Sequence, residues 1–299
     1  MPSPVRPLVI GLGEILWDLL PGGRVLGGAP ANFAHHAHAL GALGVVVSAV
    51  GSDPLGKEIV SRLTSAGLST DYLTTDDQHQ TGTVSVELTP AGVPRFTIHR
   101  AVAWDHQVFT PHLAQLARTA SAVCFGTLAQ REPATASMIR SFLDSTAPET
   151  LRVFDINLRQ EFYSHDMILQ SLARATILKL NEDELSVLCR LLGLPSEEDR
   201  ALGALLERFG LSMVALTRGA EGSVLLTPAE TSRLRPEPVR VVDTVGAGDA
   251  FTAAMVMGLL QNIPLAHLHH HASRVASYVC TQPGATPSLP AGLSSATVS

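Results

Sequence analysis

Short apolar runs alternate with longer helical stretches along this chain, and that alternation restricts the fold more than any other feature. Strands that are apolar throughout and separated by helices are typical of a parallel sheet covered by helices on both faces. Ligands of such folds bind at the carboxyl ends of the strands. The predicted strands are 8–12, 45–50, 122–125, 152–155, 177–180, 213–217 and 222–227, and the predicted helices are 31–40, 56–66, 112–119, 133–145, 182–192, 197–209, 248–261 and 264–280.

Residues 81–100 break this rhythm, because apolar and polar residues alternate there with a period of two around Pro90-Ala91-Gly92. The pattern predicts a β-hairpin. We expect the segments near 14–29 and 81–104 to form a small sheet that projects from a single domain spanning 1–299. Its apolar face and open edges predict a homodimer. The side chains of that face are Val84, Val86, Phe96 and Ile98.

Composition limits the class of protein. The chain has 299 residues, of which 45% are hydrophobic and 16% charged, so it can bury a large core. A net charge of -6 without a basic stripe argues against nucleic acid as a partner. Three cysteines, Cys124, Cys189 and Cys280, without metal-like spacing suit a reducing cytoplasm. No stretch resembles a signal peptide or a membrane span, so we expect no membrane partner.

The strongest chemical signal is the stretch Val241-Val242-Asp243-Thr244-Val245-Gly246-Ala247-Gly248-Asp249-Ala250-Phe251. Its small residues allow backbone N–H groups to converge on an anion at the start of a helix, which suits a phosphoryl group. Asp249 is expected to be ionised at neutral pH and to accept the proton of an attacking hydroxyl. The alternative is a tight turn in which Asp249 only caps the helix.

A second motif, Gly27-Gly28-Ala29-Pro30-Ala31-Asn32-Phe33-Ala34, leads into the first predicted helix. The glycine pair would let a polyol approach the backbone. The alternative is an ordinary helix start with proline in the first turn.

Both motifs resemble those of the PfkB (ribokinase-like) carbohydrate kinase family, DTxGAGDxF and GGAPANVA. Weaker similarities occur in the family's order and extend the resemblance over roughly residues 8 to 290. They are G-E-x-x-x-D at 13–18, D-x-N-x-R at 155–159, N-x-x-E at 181–184, T-x-G-x-x-G at 217–222 and G-A-x-x-S-x-P at 284–290.

The resemblance implies a ribokinase-like α/β fold with a β-sheet lid and an ATP-dependent sugar kinase activity. It implies Asp249 as general base and an anion hole at Gly246, Ala247 and Gly248. The sugar would be bound by Asp18, Gly28 and Asn32, with Arg100 and Arg159 as further contacts. ATP would be bound by Asn181, Thr217, Gly219, Gly222 and Gly248, and Mg²⁺ would be held through water by Glu184. A K⁺ ion between two loops would take oxygen ligands from Asp243, Val245, Val279, Gln282, Gly284 and Ser288.

Several segments are most similar to bacterial fructokinases, which implies D-fructose as acceptor and fructose 6-phosphate as product. Ribose, 2-keto-3-deoxygluconate or a nucleoside remain alternatives, because family members with the same catalytic loop act on them.

Other classes of protein fit the sequence less well. A dinucleotide-binding dehydrogenase would need a third glycine after Gly11-Leu12-Gly13, and a P-loop kinase would need a G-K-[ST] turn; neither occurs. A non-catalytic sugar sensor on the same scaffold would keep Asn32 and Asp18 but could lose the base, so the presence of Asp249 argues against a sensor. The histidine clusters at 35–38 and 267–271 lack partners at metal-ligand spacing and are expected to have no catalytic role.

Overall fold

The computed structural model describes residues 6–20, 22–88 and 94–294, and for 86–88, 94 and 95 it describes the backbone only. The turn predicted at Pro90-Ala91-Gly92 lies outside these residues.

Thirteen strands occur in the described chain. They are β1 (Leu8–Leu12), β2 (Leu16–Leu20), β3 (Gly23–Gly27), β4 (Leu43–Gly51), β5 (Leu73–Asp76), β6 (Gly82–Leu88), β7 (Pro94–Ile98), β8 (Ala122–Phe125), β9 (Leu151–Asp155), β10 (Ile177–Asn181), β11 (Met213–Thr217), β12 (Ser223–Leu226) and β13 (Thr231–Leu234). Nine of them form the main sheet in the order β13-β12-β11-β10-β9-β8-β1-β4-β5. Its pairs are parallel from β5 to β11, and β12 and β13 add an antiparallel edge.

The α-helices of the described residues are α1 (Ala29–Ala39), α2 (Pro54–Ser65), α3 (Pro111–Thr119), α4 (Pro133–Asp144), α5 (His165–Leu172), α6 (Glu182–Leu192), α7 (Glu198–Phe209), α8 (Ala247–Leu260) and α9 (Leu265–Cys280). Four of them begin with a proline in the first turn, where its missing N–H costs nothing. Helix α8 is buried along most of its length and packs against α1 and α9.

The seven predicted strands and eight predicted helices all occur, with bounds shifted by at most two residues. The prediction missed β5, β13 and α5. Two of these are short polar strands whose sequences, Leu-Thr-Thr-Asp and Thr-Ser-Arg-Leu, carry little apolar signal. Helix α5 has eight residues, which is short for a periodic pattern.

A separate four-stranded sheet, in the order β3-β2-β6-β7, confirms the predicted small sheet. Strands β2 and β6 run parallel, and the other two pairs are antiparallel. Two residues of the predicted apolar face are not available to a partner, because Val84 and Ile98 are buried in the same core cluster as Trp104. The side chain of Val86 lies outside the described residues. Phe96 is 52% exposed.

Among the described residues, no helix combines the length and apolar character needed to span a membrane.

Candidate active site

The direction of the main sheet's connections reverses beside β1, which lies between β4 and β8. Such a switch point opens a crevice at the carboxyl ends of the strands. A small pocket occupies this position, and residues that follow β1, β8 and β9 line it together with the first turn of α8. Its polar lining includes Glu14, Thr127, Asp155, Asn157 and Asp249.

The start of α8 has the shape that the glycine-rich motif predicts. Gly246 has a φ of 79°, and a Cβ atom there would lie 2.3 Å from the carbonyl oxygen of Ala285, so only glycine fits. The N–H groups of Gly248 and Asp249 lack intrahelical partners because they lie in the first turn. The N–H of Ala247 instead donates to the carbonyl of Thr244 at 3.3 Å, so this group is less available to an anion than the motif suggests.

Asp249 is held by a residue from the opposite end of the chain. The Nδ2 of Asn32 in α1 donates to Oδ2 of Asp249 at 2.9 Å. Burial, followed by the charge of Asp155, raises the pKa of Asp249 to about 7, although the Asn32 hydrogen bond and the charges of Lys179 and Arg159 lower it. The expectation that Asp249 is fully ionised at neutral pH was therefore wrong. A pKa near the working pH suits a general base.

A buried ion pair supports the first turn of α8, and the sequence analysis did not identify it. Lys179 Nζ donates to Oδ1 of Asp155 at 3.0 Å, and Thr252 Oγ1 donates to the other oxygen of Asp155 at 3.1 Å. A Cβ atom at Gly248 would lie 3.2 Å from Lys179 Nζ. This positive charge thus lies beside the turn where a phosphoryl group would be bound. A buried lysine in an otherwise apolar strand was the sequence signal.

The residues predicted to bind sugar meet at the same edge. Asp18 lies on β2, and burial raises its pKa while Arg159 opposes that shift. Arg159 lowers the pKa of Asp249 as well, so its charge acts on both carboxyls. Gly28 has a φ of 113°, and a Cβ atom there would lie 2.6 Å from the carbonyl oxygen of Glu14. The motif's second glycine is therefore required by the close approach of two chain segments.

Arg100 contacts Phe162 and lines a second pocket. Its guanidinium stacks on the ring of Phe162 at 4.8 Å and lines a second pocket between α4 and α5, together with Arg131 and Arg140. None of the contacts in the described chain joins Arg100 to Asp18 or Asp249. Trp104 is fully buried beneath the guanidinium of Arg131 at 4.1 Å, so it packs under the small sheet.

The predicted nucleotide contacts lie on two adjacent strand ends. Asn181 and Thr217 are direct neighbours in the register of β10 and β11. Gly222 has a φ of 102°, and a Cβ atom there would lie 2.0 Å from the carbonyl oxygen of Leu234, while Gly219 has a φ of 53°. The turn at 218–222 therefore depends on its glycines. Beyond it, the chain exposes an apolar strip before the anion-binding turn, formed by Val239, Val241, Val242 and Val245.

Glu184 connects two of these loops. One carboxylate oxygen accepts from the N–H of Asn181 at 2.8 Å, and the other accepts from the N–H of Leu158 at 2.9 Å. Burial raises the pKa of Glu184 and the nearby Lys179 lowers it. Each oxygen keeps a further lone pair for a water molecule. Across the described ranges, no three His, Cys, Asp or Glu side chains gather as a metal site.

Part of the predicted cation site is brought together. Asp243 accepts from the N–H of Val245 at 3.0 Å and from the N–H of Gly284 at 3.1 Å, which joins the two loops. The carbonyl of Val279 already accepts from the N–H of Gln282 at 3.0 Å, and the carbonyl of Ser288 accepts from the hydroxyl of Tyr278 at 3.1 Å. The oxygen-rich donor set fits a hard cation.

Two of the clustered histidines are buried and hydrogen-bonded. The Nε2 of His36 lies 2.9 Å from the carbonyl oxygen of Ala285, and His269 bonds to Ser223 and Ser232. Burial lowers the pKa of both His36 and His269 to about 4, so neither carries charge at neutral pH. His36 thus ties α1 to the loop at Ala285, and His269 ties α9 to β12 and β13.

The parallel core, the small sheet and the glycine turn at α8 define a ribokinase-like α/β protein. A model of the "pfkB family carbohydrate kinase" matches residues 22–292, so the chain belongs to this family. Fructokinase from Escherichia coli is 32% identical over 270 residues, which cover 83% of this chain and 83% of that protein.

Solved structures agree on the fold. Fructokinase from Xylella fastidiosa with bound ATP has a TM-score of 0.83 at 20% identity and covers 95% of each chain. Fructokinase from Vibrio cholerae with fructose, ADP and calcium has a TM-score of 0.79 at 24% identity and covers 97% of this chain and 98% of that one. A double mutant of the Vibrio enzyme is described with fructose, ADP and potassium. Aminoimidazole riboside kinase from Salmonella enterica, complexed with its riboside and an ATP analogue, has a TM-score of 0.79 at 22% identity and covers 95% of this chain and 97% of that one.

Proposed function

We propose that this protein is an ATP-dependent kinase that phosphorylates the terminal hydroxymethyl group of D-fructose. The observation that carries the proposal is the position of Asp249 at the positive end of α8, hydrogen-bonded to Asn32. A base and an anion-binding helix end at one place suit phosphoryl transfer to an alcohol.

The reaction follows from these positions. Asp18, Gly28, Asn32 and Arg159 would hold the sugar at the strand ends. As the sugar's hydroxyl oxygen forms a bond to the γ-phosphorus of ATP, Asp249 takes the hydroxyl proton and the bond to the ADP oxygen breaks. The first-turn amides of α8 would stabilise charge on the phosphoryl oxygens. Asp249 would also hold the proton until product leaves.

ATP would lie along the ends of β10 and β11, against Asn181, Thr217, Gly219 and Gly222, with its γ-phosphate at Gly248. The exposed valines near 239–245 offer an apolar surface for the adenine ring of ATP. Glu184 and Asn181 would hold Mg²⁺ through its water shell, because this ion keeps several waters and needs few carboxylates. When bound, Mg²⁺ would neutralise charge on the phosphates.

The loops joined by Asp243 support a K⁺ site beside the anion-binding turn, with Val245, Gln282 and Gly284 nearby. Val279 and Ser288 would have to exchange an existing hydrogen bond or share their carbonyls. The ion would stiffen the loop that precedes α8.

The small sheet would act as a lid over the sugar, since Asp18 lies on it and water must be kept from the transferring phosphoryl group. We further propose that residues 1–299 form one catalytic domain, that it works in the cytoplasm on small molecules, without nucleic acid or membrane partners, and that it dimerises through the lid.

Fructose is favoured by similarity to fructokinases over most of the chain. A riboside kinase shares the fold, so a nucleoside, ribose or 2-keto-3-deoxygluconate is the alternative. The two assignments, fructokinase and a kinase for one of the other acceptors, are separated by measuring catalytic efficiency with each of the four acceptors at the same ATP and Mg²⁺ concentrations. We expect the highest kcat/KM with fructose. A better acceptor among the other three would overturn the fructokinase assignment, and no ADP release with any of the four would overturn the proposed activity on these acceptors.

A further inference from the structure

The mechanism above gives no role to the buried carboxyl of Glu14. Glu14 follows β1 and is 5% exposed, and its buried Oε2 atom has no hydrogen-bond partner among the residues that the structure describes. A buried polar atom without a partner costs free energy, so its presence calls for a missing partner. Glu14 lines the same small pocket as Asp249.

That pocket is large enough to hold about one water molecule. Its lining supplies polar groups from both sides, since Glu14 comes from the end of β1 and Asp249 from α8. A water there can bond to both carboxyls, which satisfies the Oε2 atom. Thr127 is not needed for this, because its hydroxyl already donates to the carbonyl of Ile156 at 2.9 Å.

The charges around the two carboxyls favour one shared proton. Burial and then the charge of Asp249 raise the pKa of Glu14 to about 7, while its own backbone amide, Arg159 and the amide of Ala29 lower it. Two carboxylates in one buried site cannot both ionise freely. The pair Asp155 and Lys179 contributes opposite charges from β9 and β10. Cys124, which also lines the pocket, stays neutral because burial raises its pKa well above the usual value.

We propose that Glu14 and Asp249 form a coupled carboxyl pair that shares one proton through a bound water, and that Glu14 thereby sets the pH above which Asp249 can accept the proton of the substrate. In this role Glu14 is a positioning residue that acts through Asp249. After the transfer the pair holds two protons, and Asp249 is ionised again only when product has left and one of these protons passes to bulk water. The inference rests on the proposed kinase function.

Glu14→Gln tests the pair, because glutamine has nearly the same shape and removes only the titrating group. In wild-type protein, two interacting groups titrate in two steps that belong to the pair. Without Glu14, Asp249 loses a repelling charge. We expect the acid limb of kcat to move to lower pH by about half a unit or more. A structural role for Glu14 would lower stability and leave the limb in place.

Infrared difference spectra of the protein without ATP or sugar give a second readout. When the pH is raised from about 5 to 9, Glu14→Gln should lose one carboxylic acid C=O band fewer than wild type. Asp53→Asn is the matched control, since asparagine caps helices as well as aspartate does and Asp53 lies at the start of α2. Asp53→Asn should leave unchanged both the acid limb of kcat and the number of carboxylic acid bands that are lost.

An acid limb and carboxylic acid bands that are the same in Glu14→Gln and wild type would overturn the pair. That outcome leaves the kinase function intact as long as wild type phosphorylates a sugar and Asp249→Asn does not. A catalytically active Asp249→Asn would instead remove the proposed base itself.

Discussion

Asn32 and Asp249 are 217 positions apart in the chain, yet the Asn32 amide donates to the Asp249 carboxylate at 2.9 Å. The hydrogen bond joins the first turn of α1, which carries the proposed sugar-binding motif, to the first turn of α8, which carries the anion-binding motif. One residue can thus contact the sugar and orient the base that acts on it. Helices α1 and α8 also pack directly against each other, which fixes this distance.

The first prediction concerns pH. Asp249 must be ionised to accept a proton, so kcat should fall about tenfold per unit as pH drops below 7. The Asn32 hydrogen bond lowers the pKa of Asp249, so Asn32→Ala should move this limb to higher pH. Thr127→Val, which alters the same pocket without a bond to Asp249, should leave the limb in place. An unmoved limb in Asn32→Ala at saturating sugar would contradict the role of this hydrogen bond.

The buried pair of Lys179 and Asp155 predicts a large effect on stability. Lys179→Met should lower the free energy of unfolding by about 3–5 kcal/mol, because it leaves a buried carboxylate without its partner. Arg174→Met removes an exposed partner of Asp144 and should cost less than about 1 kcal/mol. Urea unfolding of both variants tests the difference. Equal losses would show that the Lys179 pair is not effectively buried.

The loops joined by Asp243 predict activation by a monovalent cation. Activity should be several-fold higher in K⁺ than in a large organic cation, because K⁺ can be coordinated by loop oxygens and the organic ion cannot. Asp243→Ala should lose this dependence, since it removes the link to Val245 and Gly284. The same rate in K⁺, Na⁺ and N-methylglucamine would speak against a cation site.

The lid predicts an oligomer. Phe96 is 52% exposed on the edge strand β7, whereas its neighbour Ile98 is buried in the subunit's own core. Phe96→Ser should therefore weaken a lid-mediated dimer without changing the fold. Light scattering at micromolar concentration should report a dimer for wild type and more monomer for the variant. Wild-type monomer under these conditions would contradict pairing through the lid.

The sequence predicted the parallel core and its strand ends well, because buried strands and amphipathic helices carry strong periodic signals. It also predicted the positions of Asp249 and Asn32 from local glycine motifs. The short polar strands β5 and β13 were not predicted, because neighbouring strands rather than their own composition hold them in the sheet.

The properties that depend on three-dimensional neighbours could not be predicted. The pKa of Asp249 follows from burial and from Asp155, which lies 94 positions earlier in the chain. Val84 and Ile98 had the pattern of an exposed face, but the packing of the small sheet over Trp104 buries them. The stack of Arg100 on Phe162 likewise has no signal in the sequence, and the contact of Arg100 with the sugar stays a prediction.

The stability of Asp249→Asn shows whether this variant folds like wild type. Burial raises the pKa of Asp249 in the folded protein above its usual value of 3.8, so the neutral form is favoured in the folded protein. The stability that this provides is full below the unfolded pKa and is lost as pH rises through about 7. Asparagine stays neutral, so the variant should be at least as stable as wild type at pH 8.

The most direct test of the account is therefore sugar-dependent ADP release by Asp249→Asn at pH 8, with ATP binding measured in parallel. Loss of a general base typically costs about a hundredfold to ten-thousandfold in rate. We expect kcat to fall by this amount while ATP affinity and thermal stability are retained. Turnover near the wild-type rate in the folded variant would contradict the claim that Asp249 accepts the proton of the sugar.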